Sequence, residues 1–180
     1  MEQNKLSIDT QCVQAGWTPK NGEPRQLPIY QSTTFKYESS EQMGRLFDLK
    51  EAGYFYSRLQ NPTCDSAAAK ITTLEGGVAG MLTSSGKAAS FYAVFNICEA
   101  GGHFIATNGI YGGTFNLFVV TMKKMGIDCT LVDLDASDEE LRAAFRPNTK
   151  LVFSETISNP GGRVCDIERF ARVANEQGVP

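Results

Sequence analysis

A short run of small polar residues at positions 83–89, T-S-S-G-K-A-A, has the composition of an anion-binding turn. It lies between an apolar run at 78–82, predicted to be a strand, and a predicted helix. A glycine at a helix start lets a phosphate reach free backbone N–H groups and the positive end of the helix dipole. This run is therefore a candidate anion cradle. An ordinary loop between a strand and a helix is the alternative interpretation.

The common nucleotide-binding fingerprints do not fit this run. A P-loop requires G-x-x-x-x-G-K-S/T, but Met81 occupies the first glycine position and Ala88 follows Lys87. The dinucleotide fingerprint G-x-G-x-x-G is absent from the sequence. A P-loop-like nucleotide-binding domain is therefore disfavoured, and nucleotide binding measured by calorimetry would be needed to support it.

Three other segments carry side chains that could bind a ligand. Residues 54–63 are rich in aromatic and polar groups, and Arg58 among them can bind an anion through two parallel hydrogen bonds. Tyr111 follows one predicted strand, whereas Glu155 and Asn159 follow another. Because ligands bind at the carboxyl edge of parallel sheets, we expect a ring, a carboxylate and an amide at one rim. Tyr111 could instead pack on the core.

Alternating helices and strands must position these residues. After the apolar run at 78–82, strands are predicted at 103–107, 129–132 and 151–154, and helices at 63–74, from 86, at 114–125, from a capping box at 137–140, and at 166–177. Such repeats with buried, non-alternating strands predict a mostly parallel sheet with helices on both faces. The last helix should pack on the sheet through Ile167, Phe170, Ala171 and Ala174. Beyond Gly178, residues 179–180 are expected to start another strand.

The first forty residues show no helical period, and their prolines and glycines interrupt regular pairing. We therefore expect an extended N-terminal arm with a first helix over residues 1–50, followed by an incomplete α/β domain over residues 51–180. The apolar and aromatic side chains of the arm need a surface to cover them. A neighbouring subunit and the arm's own domain are both possible surfaces.

Composition excludes several classes of function. Seventeen basic and twenty acidic residues give a formal charge of -3 without a charged block, so nucleic acid is not an expected partner. The five cysteines form no C-x-x-C pair and His103 has no partner at ligand spacing, which predicts reduced thiols and no metal site. The first residues lack an apolar targeting segment, and the apolar run at 117–120 is far too short to cross a bilayer. We expect a cytoplasmic protein without membrane contact.

Four motifs occur together in this order: Y-S-R-x-x-N-P-T from Tyr56, S-S-G-x-A-A from Ser84, I-Y-G-G-T from Ile110 and E-T-x-x-N-P from Glu155. With these motifs the chain resembles, over essentially its whole length, the Cys/Met-metabolism enzymes that use pyridoxal 5'-phosphate (PLP). This resemblance implies the large domain of aminotransferase fold type I. Residues 22–35 and 43–49 are most similar to the O-acetylhomoserine sulfhydrylases within this family.

The resemblance also implies roles for individual residues. Ser85, Gly86 and Lys87 would hold the PLP phosphate, although Gln or Met is usual at the position of Lys87. Tyr111 would stack on the pyridine ring and take part in catalysis, with Glu155 and Asn159 near the cofactor, Asn159 toward its 3-oxygen and the substrate carboxylate. Tyr56 and Arg58 would reach the phosphate of the neighbouring subunit's cofactor across a dimer interface of a homotetramer. Tyr56 would also assist proton transfer near the substrate amine.

The implied reaction converts O-acetylhomoserine and sulfide into homocysteine and acetate by γ-replacement. A cystathionine γ-synthase or a γ-lyase of the same family would share these motifs. The resemblance further implies an aspartate for the pyridinium nitrogen and a Schiff-base lysine, and neither is present in these residues. We therefore expect the N-terminal portion of a longer enzyme that is inactive alone, or a non-catalytic half that completes the site of another chain.

Overall fold

The computed structural model describes residues 6–180, and their contacts divide the chain into two units, Met1–Leu82 and Thr83–Pro180. The first unit contains the helices α1 (Ile8–Gln14), α2 (Ser40–Phe47) and α3 (Pro62–Leu74). The second unit contains, in chain order, α4 (Gly86–Phe95), β1 (His103–Thr107), α5 (Gly112–Asn116), a π-helical segment (Leu117–Met122), β2 (Asp128–Val132), α6 (Asp138–Ala143), β3 (Thr149–Phe153) and α7 (Ile167–Glu176).

The three strands of the second unit form a parallel sheet in the order β2-β1-β3. In the register between β1 and β2, His103 lies opposite Asp128 and Thr107 opposite Val132. Every residue of β1 is buried, because this strand has a neighbour on each side and helices above and below. The predicted parallel sheet is therefore confirmed, with strand bounds within two residues of those expected.

Helices cover both faces of this sheet. On one face, Phe104 and Ala106 pack in a cluster with Val94 of α4 and Phe118 of the π-helical segment. On the other face, Ile105 packs with residues of α6 and α7, namely Leu141, Phe170 and Val173. The alternation of side chains along β1 thus divides the core into two layers. Helices on both faces were predicted, and this prediction is confirmed.

Local signals set several helix starts. Ser137 and Glu140 form the predicted capping box, in which the Ser137 hydroxyl accepts from the Glu140 N–H at 3.2 Å and the Glu140 carboxylate accepts from the Ser137 N–H at 2.7 Å. Asn61 caps α3, and Pro62 occupies the first helical position, where a missing N–H costs nothing. The predicted helices at 63–74 and 166–177 are therefore confirmed almost to the residue.

The expectation that the first forty residues form no helix is wrong for their first part, because α1 forms there. Ser7 caps α1, and the Lys70 ammonium of α3 donates to the carbonyls of Cys12 and Val13 at 3.1 Å each, which satisfies the last turn of α1. The chain then comes so close to α3 at Gly16 (φ +86°) that a Cβ there would overlap the Ser66 carbonyl. This part of the arm packs on its own unit.

Two predicted elements also differ from the structure. Residues 78–82 form no strand: Val78 is fully exposed, and within the described chain no backbone pairs with this run. The predicted helix at 114–125 instead winds as α5 and then as a π-helical segment. The wider winding places Leu117 and Met122, five residues apart, in the same core cluster.

The prediction of the apolar face of α7 is wrong for two of its four residues. Phe170, Val173 and Ala174 are buried, but Ile167 is 54% exposed and Ala171 is also exposed. Both exposed residues line a cavity of about 220 Å³ beside β3, which is one of the two edge strands of the sheet. At that edge the Val152 N–H donates to the carbonyl of Pro180 at 2.8 Å.

Among residues 6–180, no helix combines the length and the apolar character needed to cross a membrane.

Candidate functional site

The N-terminus of α4 presents backbone donors to open space. Ser85 caps this helix, its hydroxyl accepting from the Ala88 N–H at 3.1 Å and its carbonyl from the Ala89 N–H at 3.0 Å. The N–H groups of Gly86 and Lys87 belong to the first turn, where a helix offers them no internal partner. A Cβ added at Gly86 would meet no atom within 4 Å. This arrangement fits a phosphate group, which would occupy the open space and accept from these donors.

Tyr111 and Glu155 meet at the carboxyl edge of the sheet. The Tyr111 N–H donates to the two carboxylate oxygens of Glu155, at 3.1 and 3.2 Å. These residues are far apart in sequence, but they follow β1 and β3, which are neighbouring parallel strands. Tyr111 is 52% exposed, so it does not pack in the core.

Gly113 provides room for the Tyr111 ring. A Cβ at Gly113 would overlap Cε1 of that ring and lie 3.1 Å from Cδ1, whereas a Cβ at Gly112 would meet nothing within 4 Å. The ring therefore folds back over the second glycine of I-Y-G-G-T. Sequence analysis missed this role for Gly113, although the pair of glycines directly after Tyr111 was a usable signal.

A charged network supports the loop that carries Asn159. Arg163 donates through Nη2 to Asp133 Oδ1 at 2.8 Å, and Asn108 donates to Asp133 Oδ2 at 2.9 Å. The hydrogen bond from Arg163, with those from the Asp135 N–H and Asn108, holds the pKa of Asp133 well below its usual range. The network joins the residues just after β1 and β2 to the loop after β3. Sequence analysis did not identify Arg163, since its partners are distant in sequence.

The loop itself is held by the buried Ser158. The Arg163 N–H donates to Ser158 Oγ at 2.8 Å, and the Ser158 N–H donates to the Arg163 carbonyl at 2.8 Å. Asn159 follows Ser158 and is exposed. Within the described chain, no hydrogen bond joins Asn159 to Tyr111 or Glu155.

Tyr56 and Arg58 lie together in the first unit. The Arg58 guanidinium carbon is 5.2 Å from the centroid of the Tyr56 ring, within the range of a cation–π contact. An isolated bridge between Thr34 and Tyr56 and a hydrogen bond from the Ser57 N–H to the Thr33 carbonyl (2.9 Å) hold the loop. Arg58 itself is exposed, so its donors are available to an anion.

No group of three His, Cys, Asp or Glu side chains within the described range is arranged to hold a metal ion. The five cysteines are free thiols. Burial raises the pKa of the Cys129 thiol to about 12, which disfavours the nucleophilic thiolate form.

The fold and these motifs define the class of protein: the chain belongs to the family of Cys/Met metabolism PLP-dependent enzymes, whose family model matches residues 9–180. Among curated relatives, the O-acetyl-L-homoserine sulfhydrylase of Corynebacterium glutamicum is 41% identical over 178 residues, covering 98% of this chain and 41% of its own length. The homocysteine synthase of Schizosaccharomyces pombe is 42% identical over 174 residues, covering 96% of this chain and 40% of its own length.

Solved structures of the same family are also similar to this chain. One is described as an O-acetylhomoserine (thiol)-lyase from Campylobacter jejuni and contains N'-pyridoxyl-lysine-5'-monophosphate. It superposes with a TM-score of 0.89 at 34% identity, covering 97% of this chain and 43% of that one. The cystathionine γ-lyase of Lactobacillus plantarum, complexed with L-serine, gives a TM-score of 0.82 at 33% identity over the same shares. The chain thus spans about two-fifths of the length of the relatives it matches.

Proposed function

We propose that this chain forms part of a PLP-dependent enzyme that converts O-acetyl-L-homoserine and sulfide into L-homocysteine and acetate by γ-replacement. Support comes from relatives named O-acetyl-L-homoserine sulfhydrylase or homocysteine synthase, which are 39–42% identical to the chain. Since the chain spans about two-fifths of these relatives, we assign the activity to a complete polypeptide or assembly. From residues 1–180 alone we expect no turnover, because the family resemblance implies a lysine and an aspartate that these residues do not supply.

The open space at the N-terminus of α4 carries the assignment of the cofactor site. Ser85, Gly86 and Lys87 would hold the phosphate, and the Lys87 ammonium would add positive charge there. Tyr111, held by Glu155 and given room by Gly113, would provide the stacking surface for the ring, with Asn159 close to it. Bound PLP supplies an electron sink for carbanions formed next to the substrate amine.

Tyr56 and Arg58 would act across a subunit interface. Their mutual contact and the exposure of Arg58 suit an arginine that binds an anion on another chain, and the Tyr56 hydroxyl would hold or pass a proton near the substrate amine. The same family resemblance supports a homotetramer, sites shared across a dimer interface and a cytoplasmic location. Tyr56 and Tyr111 are therefore the residues that we propose to take part directly in catalysis.

A γ-lyase of the same family is the second candidate. The L-methionine γ-lyase of Fusobacterium nucleatum is 38% identical over 175 residues, nearly as similar as the sulfhydrylases. Product analysis of the complete enzyme with sulfide, cysteine or water as acceptor would separate a sulfhydrylase, a cystathionine γ-synthase and a γ-lyase. A non-catalytic half that completes another chain's site would form none of these products by itself.

Replacing Gly86 with Val tests the phosphate cradle. Because the space beside Gly86 is open, the valine side chain should fit without disturbing the fold and should instead occupy the proposed phosphate position. We expect PLP affinity of the complete enzyme to fall at least about tenfold, as loss of one charge-assisted hydrogen bond implies. Fluorescence titration with PLP measures this directly.

Gly44→Val is the matched control, since Gly44 is also a helical glycine whose added Cβ would meet nothing within 4 Å. The control should bind PLP like the unmodified protein. Unchanged PLP affinity in folded Gly86→Val protein would remove the cradle from this helix.

A further inference from the structure

The first unit contains a cavity of about 410 Å³ that the proposed reaction does not use. Four aromatic side chains line it, and Asp65 of α3 provides the one charged group in its wall. The volume lies within the range of about 300–1,000 Å³ that is typical of small-molecule sites. None of the residues that line it is a lysine, an arginine or a histidine. The aromatic residues are Trp17, Tyr30, Phe35 and Tyr54.

Hydrogen bonds fix the first two of these aromatic residues. The Tyr30 N–H donates to Thr63 Oγ1 at 2.9 Å, and the Tyr30 carbonyl accepts from Asn61 Nδ2 at 3.0 Å, which ties Tyr30 to the start of α3. The indole N–H of Trp17 donates to the Pro24 carbonyl at 3.1 Å. These hydrogen bonds hold the Tyr30 backbone and the Trp17 indole N–H within the protein, so a ligand would meet the faces of the two rings.

The other two aromatic residues are also held in place. The Phe35 N–H donates to the Phe55 carbonyl at 3.3 Å, and the Phe35 and Tyr54 rings lie with centroids 5.7 Å apart. Burial raises the pKa of Tyr54, and the nearby negative charge of Asp65 raises it further. Tyr54 is thus neutral at physiological pH, and Asp65 gives the cavity a net negative charge. The walls are preorganised, so little ordering is needed on binding.

We propose that this cavity binds a small alkylammonium ligand, with the cationic nitrogen between the aromatic side chains and near Asp65. Aromatic faces carry negative potential and attract an organic cation, and a methylated ammonium satisfies them without needing hydrogen-bond acceptors. A carboxylate complements the charge, and the absence of lining bases removes the repulsion that would exclude a cation. An anionic ligand, such as the phosphate proposed for α4, would be repelled.

Binding of choline to the complete protein tests this proposal. Trp17 is the sole tryptophan of residues 1–180, so a fluorescence change on binding that disappears in Trp17→Phe protein reports on this cavity. Choline and tetramethylammonium should bind saturably, whereas 3,3-dimethylbutanol, a neutral molecule with the shape of choline, should bind roughly tenfold more weakly, as the strength of cation–π contacts implies. Sodium chloride at equal ionic strength serves as the reference. Equal affinity for choline and its neutral analogue would show an apolar cavity only and would overturn the proposal.

Two variants locate the ligand. Asp65→Asn should weaken choline binding about fivefold or more while leaving the neutral analogue unchanged. Glu75→Gln, at the other end of α3, removes a carboxylate of the same helix and should have no effect. Tyr30→Leu removes one ring but keeps the charge, and it should also weaken choline binding. If both the Asp65 and Tyr30 variants bind choline like the unmodified protein, or if no saturable binding occurs, the site is wrong.

Discussion

At the scale of single residues, the position of Tyr111 depends on its backbone contact with the Glu155 carboxylate and on the missing side chain of Gly113. Glu155 holds the Tyr111 backbone, and Gly113 leaves space for the ring. Neither contact is part of a helix or a strand pairing. Both therefore depend on which residues stand at positions 155 and 113. The two glycines of I-Y-G-G-T are consequently not equivalent, since only the second is close to the ring.

This difference gives a matched pair of substitutions. Gly113→Ala should push the Tyr111 ring from its position and lower PLP affinity of the complete enzyme by roughly three- to tenfold, about 1 kcal/mol for one aromatic contact. Gly112→Ala should have little effect, because the added methyl group would meet nothing within 4 Å. PLP titration with both variants measures the difference. Equal affinities in the two variants would show that the ring position does not matter for binding.

At the scale of elements, a buried histidine joins all three strands of the sheet. His103 of β1 forms hydrogen bonds of 2.8 Å through Nδ1 to the Thr149 hydroxyl of β3 and through Nε2 to the Thr130 hydroxyl of β2. Both hydroxyl oxygens also accept hydrogen bonds from Arg146. A protonated ring would bring a second donor to each hydroxyl and a positive charge close to Arg146. The neutral ring therefore fits this position better.

The sheet should consequently lose stability in mild acid. Burial lowers the pKa of His103, and the charge of Arg146 lowers it further, with Asp128 opposing. The unfolded chain takes up this proton near its ordinary pKa of about 6.5, before the folded chain does. The contribution of His103 to the free energy of unfolding is therefore complete above that pH. It declines below that pH, at no more than about 1.4 kcal/mol per pH unit.

Urea unfolding of the unmodified protein and of His103→Gln, measured from pH 8 to pH 5, tests this prediction. Carboxylates contribute alike to both proteins, so the difference in slope isolates the histidine. The variant should be less stable at pH 8 and should show a shallower decline between pH 7 and pH 5. Parallel curves would mean that His103 does not titrate differently in the folded and unfolded states.

At the scale of the whole molecule, we propose that Tyr56 and Arg58 of one subunit serve the cofactor site of a neighbouring subunit. A site shared between subunits can be tested by combining subunits that carry different defects. Two inactive subunits with different defects can together form one intact site.

Subunit mixing makes this testable in the complete enzyme. An Arg58→Ala subunit and a subunit lacking the cofactor-binding lysine should each be inactive, and their mixture should recover part of the activity, up to about one quarter for random dimers. Exchange of subunits is first shown by native mass spectrometry. A mixture that exchanges but stays inactive would mean that Arg58 serves the site of its own subunit.

Much of the second unit was predictable from sequence because its signals are local. The three strands are short apolar runs in the sequence. Helix starts and ends are set by residues that contact the backbone only a few positions away, namely the caps Ser85, Ser137 and Asp166 and the terminating Gly126 and Gly178. The order and spacing of four motifs were enough to indicate the family that the matching model then showed. These features depend on neighbours in the chain, which a sequence displays directly.

Tertiary structure decided which surfaces these elements bury. Residues 78–82 have the composition of a strand, but a strand needs a paired backbone, and none lies beside them in the described chain. The sequence predicts that Ile167 belongs to the buried face of α7, yet Ile167 is 54% exposed and lines a cavity beside β3. The contact between Tyr111 and Glu155 exists because β1 and β3 are neighbours. Pairing between distant segments is a property of the folded chain, so sequence patterns determined the elements while packing determined their partners.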